Sequence, residues 1–311
     1  MKRGTFDVLR RGVDNTVANW PLILIRVAEM VVLGMLAIAT LFIALVPILV
    51  SFGIEVSKIG SIEDIEQAML ALMQQWILLV WVFVAILVLI TIFVAIHSVV
   101  EAGSARVYVD AERAAGPTLE GPRSRYRVFT IDRWMAGARE GWWTVFWIYN
   151  FAWGAAGLIL LIPLIPTAIA SLMLREKPIA IAISCLGLVL TVLLLIVVGI
   201  VTGMWVNRAI NEWAVHRSSA RVALSSAWSA LHLDLARHLL ILIAIMVVSM
   251  AGSSFFASFS LFASMGEGFG NHGMFSFITM PIRLLGTLLS TVFSAIVSAW
   301  YLASYAGLAA E

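Results

Sequence analysis

Long apolar segments alternate along the chain with short two-faced segments, and residues 5–50 contain the first such pair. At 100° per residue, the apolar side chains between Thr5 and Trp20 fall within one narrow arc of a helix. A helix with one apolar stripe and one charged face lies in the membrane interface, with the stripe towards the hydrocarbon. The stripe consists of Phe6, Leu9, Val13, Val17 and Trp20, and the polar positions outside it are Asp7, Arg10, Arg11, Asp14 and Asn15.

A membrane-crossing helix is predicted directly after this surface helix. Pro21 fits the first turn of a new helix and disfavours helical geometry at Trp20, so we expect a bend between the two. Met30–Val50 then carries no charged residue, and about 20 apolar residues suffice to cross the hydrocarbon. The same pattern predicts six spans, at roughly residues 25–50, 76–100, 144–173, 179–206, 239–262 and 280–307.

The unit of one surface helix and two spans is predicted to occur three times. Apolar stripes at helical spacing precede span three (Ile131, Trp134, Met135, Ala138, Trp142) and span five (Leu224, Trp228, Leu231, Leu235). We therefore expect an all-α polytopic membrane protein with six transmembrane helices in three repeats of an interfacial helix and a helical hairpin. The single membrane domain 1–311 would comprise repeats 5–115, 129–217 and 218–311, a linker at 103–130, and a further short surface helix within 57–75.

Composition supports a membrane environment. The chain is 62% hydrophobic and 12% charged, whereas soluble chains are about 25% charged, so lipid must cover part of the surface. The net charge of +2 gives no reason to expect a nucleic-acid partner. Cys185 is the single cysteine and lies in an apolar run, which excludes an internal disulfide.

The distribution of lysine and arginine predicts the orientation. Fifteen of these residues fall on the side that holds both termini and the surface helices, and four fall on the other side. By the positive-inside rule, both termini face the cytoplasm, and we expect a multi-pass protein of the cell inner membrane.

One group of ionisable residues falls inside the predicted spans. Arg26 and Glu29 lie early in span one, while His97 and Glu101 share a helix face near the end of span two. The two pairs lie at matching depth, so they could meet. Charge inside a membrane suggests a functional site, although a structural polar cluster or an i,i+3 pair at the interface is the simpler interpretation.

Two further sets of residues suggest contacts. Arg123, Arg125 and Arg127 could bind anionic lipid headgroups or an acidic partner, or could simply be positive-inside charge. Gly286, Ser290, Ser294 and Ser298 recur at four-residue steps in span six, where small side chains let helices pack tightly.

Patterns of established catalytic and metal sites are missing from the sequence. There is no G-x-S-x-G, no H-E-x-x-H and no cysteine and histidine set with zinc spacing. We therefore predict no enzyme activity, no metal and no cofactor. An intramembrane enzyme using His97 and Glu101 stays open as a third alternative.

The polar helices end in aromatic and apolar residues ("VANWPLILI", "REGWWTVFWI", "LARHLLILI"), and even-numbered spans exit through glycine ("EAGSARVYVDAE", "VTGMWVNRAINEW"). In this pattern the chain resembles poorly characterised six-span bacterial membrane proteins, which are similar to the membrane domain of some glycerophosphodiester phosphodiesterases. The phosphodiesterase domain itself has no counterpart here, so the resemblance implies no activity and no site residues.

The function that these observations favour is a non-enzymatic membrane scaffold or accessory subunit. It would dock other subunits of a membrane complex through its cytoplasmic amphipathic helices and arginine-rich loop. The alternative is a transporter or channel for small solutes or ions, or a permease component, with a pseudo-threefold repeat and a polar cavity at Arg26, Glu29, His97 or Glu101.

Overall fold

The computed structural model describes residues 3–52, 76–117, 121–174, 179–268 and 272–311. Within these ranges the chain forms eight α-helices and one 3₁₀ turn, Arg123–Tyr126, and no β-strand. The expected surface helix at 57–75 lies outside the described residues. The helices are α1 (Thr5–Ala18), α2 (Pro21–Phe52), α3 (Trp76–Ala115), α4 (Ile131–Met173), α5 (Ile179–His216), α6 (Ala220–Leu233), α7 (Leu235–Gly268) and α8 (His272–Ala309).

Six of these helices are long and apolar enough to cross a membrane: α2, α3, α4, α5, α7 and α8. Their most hydrophobic windows are at most 22% buried inside the chain. Side chains that are this apolar and this exposed need a hydrocarbon solvent rather than water. The prediction of an all-α protein with six spans is therefore confirmed.

The bend predicted before Pro21 is present. Helix α1 ends at Ala18, Asn19 caps it, and α2 starts at Pro21. Phe6, Val13, Val17 and Trp20 are exposed, as an interfacial stripe requires, but Leu9 is buried. On the polar side of α1, Arg11, Asn15 and Thr16 are buried within the chain instead of facing solvent.

The second unit differs from the prediction of a surface helix followed by a separate span. Helix α4 runs without interruption from Ile131 to Met173. Thr130 caps its start, since the Thr130 hydroxyl accepts a hydrogen bond from the Arg133 amide at 3.2 Å. No proline stands between the amphipathic part and the span, so nothing ends the helix there.

The described chain divides into two compact units, and the larger comprises Met1–Ile25 with Ser98–Glu311. Its core lies at one end of α4, α5, α7 and α8, where α1 and α6 pack beside them. The packing is close enough to require glycine. A Cβ at Gly12 would lie 2.3 Å from the Ser304 hydroxyl, and one at Gly141 would lie 1.9 Å from the Trp213 ring.

The smaller unit, Arg26–His97, contains most of α2 and the apolar part of α3. The two helices touch at the Trp81 indole, which donates a hydrogen bond to the Ile43 carbonyl at 3.4 Å. Most of the described side chains between residues 31 and 92 are exposed or half-buried. The polar contacts near Arg26 and His97 are therefore the main internal feature of this unit.

Candidate functional site

A buried charge cluster joins α2 and α3, and it consists of Arg26, Glu29 and His97. Arg26 and Glu29 stand three residues apart on α2 and are each 4% exposed. One Glu29 oxygen accepts a hydrogen bond from Arg26 Nη1 at 2.7 Å, and the other lies 2.5 Å from His97 Nδ1. Arg26 Nη1 and His97 Nδ1 are themselves 3.3 Å apart. The sequence analysis singled out all three residues, and the structure brings them together.

The cluster holds its carboxylate between two groups of different character. Arginine carries its charge at any physiological pH, whereas histidine is the side chain that gains and loses a proton in that range. Removing ions from water costs several kcal/mol each unless partners compensate. The arrangement can therefore act as a permanent staple between two helices, or as a place where a proton enters and leaves a membrane-embedded network.

Glu101, the fourth residue of the predicted cluster, follows His97 by one turn of α3 and is also buried, at 4% exposure. It belongs to the larger unit, which begins again at Ser98. Three of the four predicted residues thus meet within the smaller unit, and Glu101 lies in the larger one.

A second set of buried ions ties α1 to the end of α3. Glu112, whose side chain is fully buried, accepts hydrogen bonds from Arg11 Nε at 3.0 Å and Nη2 at 2.8 Å, and from Arg3 at 3.3 Å. Arg11 also donates to the Gly116 carbonyl at 2.8 Å. The side of α1 that the sequence analysis described as charged is thus used inside the chain. We call α1, residues 98–117 and residues 121–130 together the platform.

Asparagines of α1 hold the backbone of this platform. Asn15 donates to the Tyr108 carbonyl at 3.0 Å. Asn19 donates to the Tyr126 carbonyl at 2.8 Å and accepts from the amides of Val128 and Phe129 at 3.2 and 3.0 Å. Amide side chains can satisfy donors and acceptors at once, so Asn19 fixes an extended segment that would otherwise leave its backbone unpartnered.

Tyr126 fills the space beneath that segment. It packs with Ala18, Ala111 and Ala115, and the Arg11 guanidinium lies 5.3 Å from its ring centre. Burial raises the pKa of Tyr126 to about 12, and the negative charge of Glu112 acts in the same direction. The tyrosine therefore stays neutral inside the platform at physiological pH.

The arginines predicted to contact lipid or a partner lie along one edge of the platform. Arg123 donates to Asp14 at 2.6 Å, yet 64% of its side chain is exposed. Arg125 is half-buried and Arg127 is exposed. Positive charge at this edge thus remains accessible to an anionic surface.

The predicted small-residue stripe runs along α8. Gly286 is buried, while Ser290, Ser294 and Ser298 are half-buried. Gly286 and Ser290 also line a cavity of about 210 Å³ between α7 and α8. The residues in this stretch with the deepest burial are the neighbouring alanines, Ala295 and Ala299.

A pocket of about 330 Å³ that the sequence did not predict lies near the end of α8. We call it the C-terminal pocket. Arg208 pairs with Glu212 at 2.6 Å on one side of it, and Arg237 clamps Glu311 through two contacts of 2.6 and 2.7 Å on the other. The four-residue spacing of Arg208, Glu212 and His216 could have indicated one polar helix face. The partnership of Arg237 with Glu311 carries no such signal.

No cluster of three or more histidine, cysteine, aspartate or glutamate side chains that could hold a metal ion occurs within the described ranges. Comparisons with known proteins were equally without a positive result: no protein-family model, no curated protein and no solved structure matches the chain. The resemblance to the membrane domain of glycerophosphodiester phosphodiesterases therefore stays a prediction.

Proposed function

We propose that the protein is a non-enzymatic membrane scaffold or accessory subunit that docks other subunits of a membrane complex. The observation that carries this proposal is the platform: a densely cross-linked polar structure at one end of long lipid-exposed helices, with an accessible arginine edge. Buried ion pairs and asparagine contacts to the backbone favour a rigid surface over a moving one. A rigid, charged surface suits recognition of a fixed partner.

We place this surface on the cytoplasmic side of the cell inner membrane, because fifteen lysines and arginines fall on that side and four on the other. The exposed stripe of α1 would rest in the interface, and Arg123, Arg125 and Arg127 would face anionic headgroups or an acidic partner surface. Cys185→Ser followed by a single cysteine at Ser61 or at Ser218 tests the orientation. A membrane-impermeant maleimide added to intact cells should label Ser61→Cys. It should label Ser218→Cys only after the membrane has been permeabilised.

We also retain the proposal of three repeats, each with an interfacial helix and a hairpin. Two observations support it: α1 and α6 are both 14 residues long, and each is followed by a short break and a span. In the remaining unit the amphipathic part and the span form the single helix α4.

Purification in a mild detergent after chemical cross-linking tests the scaffold. A defined partner should co-purify with the wild type, and Arg123→Gln/Arg125→Gln/Arg127→Gln should reduce its yield several-fold. The matched control is Arg139→Gln/Arg221→Gln/Arg283→Gln, which removes the same charge from exposed and half-buried positions outside the platform. A clean monomer with no partner, or equal loss in both triple variants, would contradict the proposal.

The second candidate function is transport of an ion or small solute, and the charge cluster of Arg26, Glu29 and His97 favours it. Two ionised groups buried beside a half-buried histidine are expensive between apolar helices, and such residues often lie on proton or ion paths. Reconstitution into liposomes with a pH-sensitive dye tests this function. Proton flux that Glu29→Gln abolishes would replace the scaffold by a transporter, and liposomes as tight as empty ones would remove the alternative.

A further inference from the structure

The junction between α1 and α2 has a close counterpart between α6 and α7. Asn19 caps α1 and Asp234 caps α6, each directly after a helix of 14 residues. The Asn19 carbonyl accepts a hydrogen bond from the Leu22 amide at 3.0 Å, and the Asp234 carbonyl accepts one from the Arg237 amide at 3.0 Å. At both junctions the chain therefore turns into the next helix with the same hydrogen bond.

The same helices are anchored by matching tryptophans. Trp300 of α8 donates its indole hydrogen to the carbonyl of Leu9, and Trp205 of α5 donates to the carbonyl of Leu224, at 2.9 and 2.8 Å. Leu9 and Leu224 are each the fifth residue of their helix. The contact between α6 and α5 therefore involves the same helix position as the contact between α1 and α8.

The first junction is occupied by a segment of the chain itself. Residues 121–130 run past the end of α1, and Tyr126 packs against Ala18, the last residue of that helix. Ala111 and Ala115, near the end of α3, belong to the same cluster. The Asn19 side chain holds the backbone of the segment through three hydrogen bonds.

The second junction has the C-terminal pocket at the corresponding place. Leu233, the last residue of α6, lines it, as do Leu308 and Ala309 near the end of α8. These positions mirror those that enclose Tyr126. Leu233 is 81% exposed, so the apolar wall at this place lacks the cover that Tyr126 gives to Ala18.

The polar wall of the pocket favours a basic peptide. Glu212, Asp234 and Glu311 contribute three carboxylates, all of them in contact with the two guanidinium groups of Arg208 and Arg237. His216 and His238 also line the pocket, and with both histidines neutral the carboxylates outnumber the cations, so the net charge is negative. The Nε atoms of both arginines are buried and have no hydrogen-bond partner among the residues that the structure describes. A buried donor without a partner costs about 1–3 kcal/mol, and backbone carbonyls of an extended peptide would be suitable acceptors.

We propose that the C-terminal pocket binds an extended segment of a partner protein, in which an aromatic side chain stands beside basic residues. The aromatic ring would cover Leu233 as Tyr126 covers Ala18, and the basic side chains would meet the net negative charge of the pocket. The inference deepens the proposed scaffold function and rests on it, since it names the kind of segment that a partner would present.

A peptide with the sequence of residues 121–130, carrying the photoreactive p-benzoylphenylalanine in place of Tyr126, is the probe. It is titrated onto the purified full chain in uncharged detergent, where we expect saturable binding. After illumination, mass spectrometry should locate the cross-link at Leu233, Ala309 or Leu308. Ala230→Trp, which fills the pocket, should weaken binding at least ten-fold.

Two variants keep the experiment decisive. Ser225→Trp adds the same ring to an exposed position of the same helix and should leave binding unchanged. Leu233→Gln removes the apolar wall at an exposed position, so the chain should fold normally and bind the peptide several-fold more weakly. Unchanged unfolding temperatures must accompany both results.

Absence of saturable binding would overturn the inference, and so would equal affinity in Ala230→Trp and Ser225→Trp. Cross-links at Ala111 or Ala115 would overturn it as well, because the peptide would then only replace the chain's own segment. These failures differ from failure of the scaffold proposal. A partner that still co-purifies while the peptide does not bind would dock elsewhere on the protein.

Discussion

Glu112 and Glu29 are both carboxylates sealed from solvent, but they are sealed by different partners. Glu112 accepts from two arginines, Arg11 and Arg3, whereas Glu29 contacts one arginine and one histidine. Arginines keep their charge at all physiological pH values. The platform therefore surrounds its buried carboxylate with arginines alone, whereas the charge cluster of α2 and α3 adds a histidine.

The comparison separates two reasons for burying an ion. Around Glu112, Arg11 also contacts other parts of the platform: it reaches the Gly116 carbonyl and the Tyr126 ring. At Glu29, the carboxylate contacts Arg26 and His97, which come from two helices. Loss of Glu112, which leaves two arginines without their carboxylate, should thus destabilise the fold more than loss of Glu29, which leaves one.

The largest effect is expected for Glu112→Ala. It would leave two guanidinium groups without their carboxylate in a buried site, which costs about 3–5 kcal/mol. The unfolding temperature in detergent should fall strongly, or the variant should fail to accumulate. Asp110→Ala is the control, because Asp110 pairs with Arg106 at a partly exposed site and should cost about 1 kcal/mol or less. Similar losses in both variants would contradict the structural role of Glu112.

A smaller effect is expected for Glu29→Gln. Glutamine keeps the shape and one acceptor but loses the charge, and loss of a hydrogen bond to a charged group costs about 1.5–3 kcal/mol. We expect moderate destabilisation between pH 5 and 8, measured by thermal unfolding. His97→Gln is the matched variant, since it keeps a hydrogen-bonding side chain and cannot take up a proton. If Glu29→Gln and His97→Gln both unfold at the wild-type temperature, the cluster does not hold the two helices together.

Packing can be compared between the two units with a pair of glycines. Gly12→Ala would push a Cβ to within 2.3 Å of the Ser304 hydroxyl and 3.1 Å of its backbone, so we expect a loss of about 1–3 kcal/mol. Gly34→Ala meets no atom within 4 Å and should be neutral or stabilising by up to about 1 kcal/mol. Equal unfolding temperatures for the two variants would show that the platform is looser than its contacts imply.

The smallest effect concerns alkaline pH. The pKa of Tyr126 is raised from 10 to about 12 in the folded protein, so folding favours the protonated phenol. Its contribution to stability is complete below pH 10 and is lost as the pH rises from 10 towards 12. Thermal unfolding over this range should show a steeper decline for the wild type than for Tyr126→Phe. Parallel curves would mean that the phenol is not buried.

Sequence analysis predicted those parts of the fold that depend on neighbouring residues. Six spans follow from long uncharged stretches, and the break before α2 follows from Pro21, because these signals act locally. Arg26 and Glu29 could be paired because they stand three residues apart, and His97 joins them because the two spans have matching depth. Each of these predictions needed only helical geometry.

Other contacts depend on residues that are distant in the sequence. Arg11 and Glu112 are 101 positions apart, and Arg237 and Glu311 are 74 apart, so no periodicity connects them. For that reason the polar side of α1 could not be predicted to lie inside the chain, and the C-terminal pocket was missed. The unbroken helix α4 was missed because its amphipathic part resembles the stripes of α1 and α6, whose separate ends depend on capping at Asn19 and Asp234.

The 43 residues of α4 have a mechanical consequence. At 1.5 Å per residue the helix is about 65 Å long, roughly twice the thickness of the hydrocarbon. Pro163 and Pro166 lie towards the far end of the helix, and no proline separates its amphipathic part from the start of its membrane-crossing part. When that start tilts in a thinner or thicker bilayer, the amphipathic part must therefore move with it. The position of Trp213, packed against Gly141 near that amphipathic part, would then report bilayer thickness.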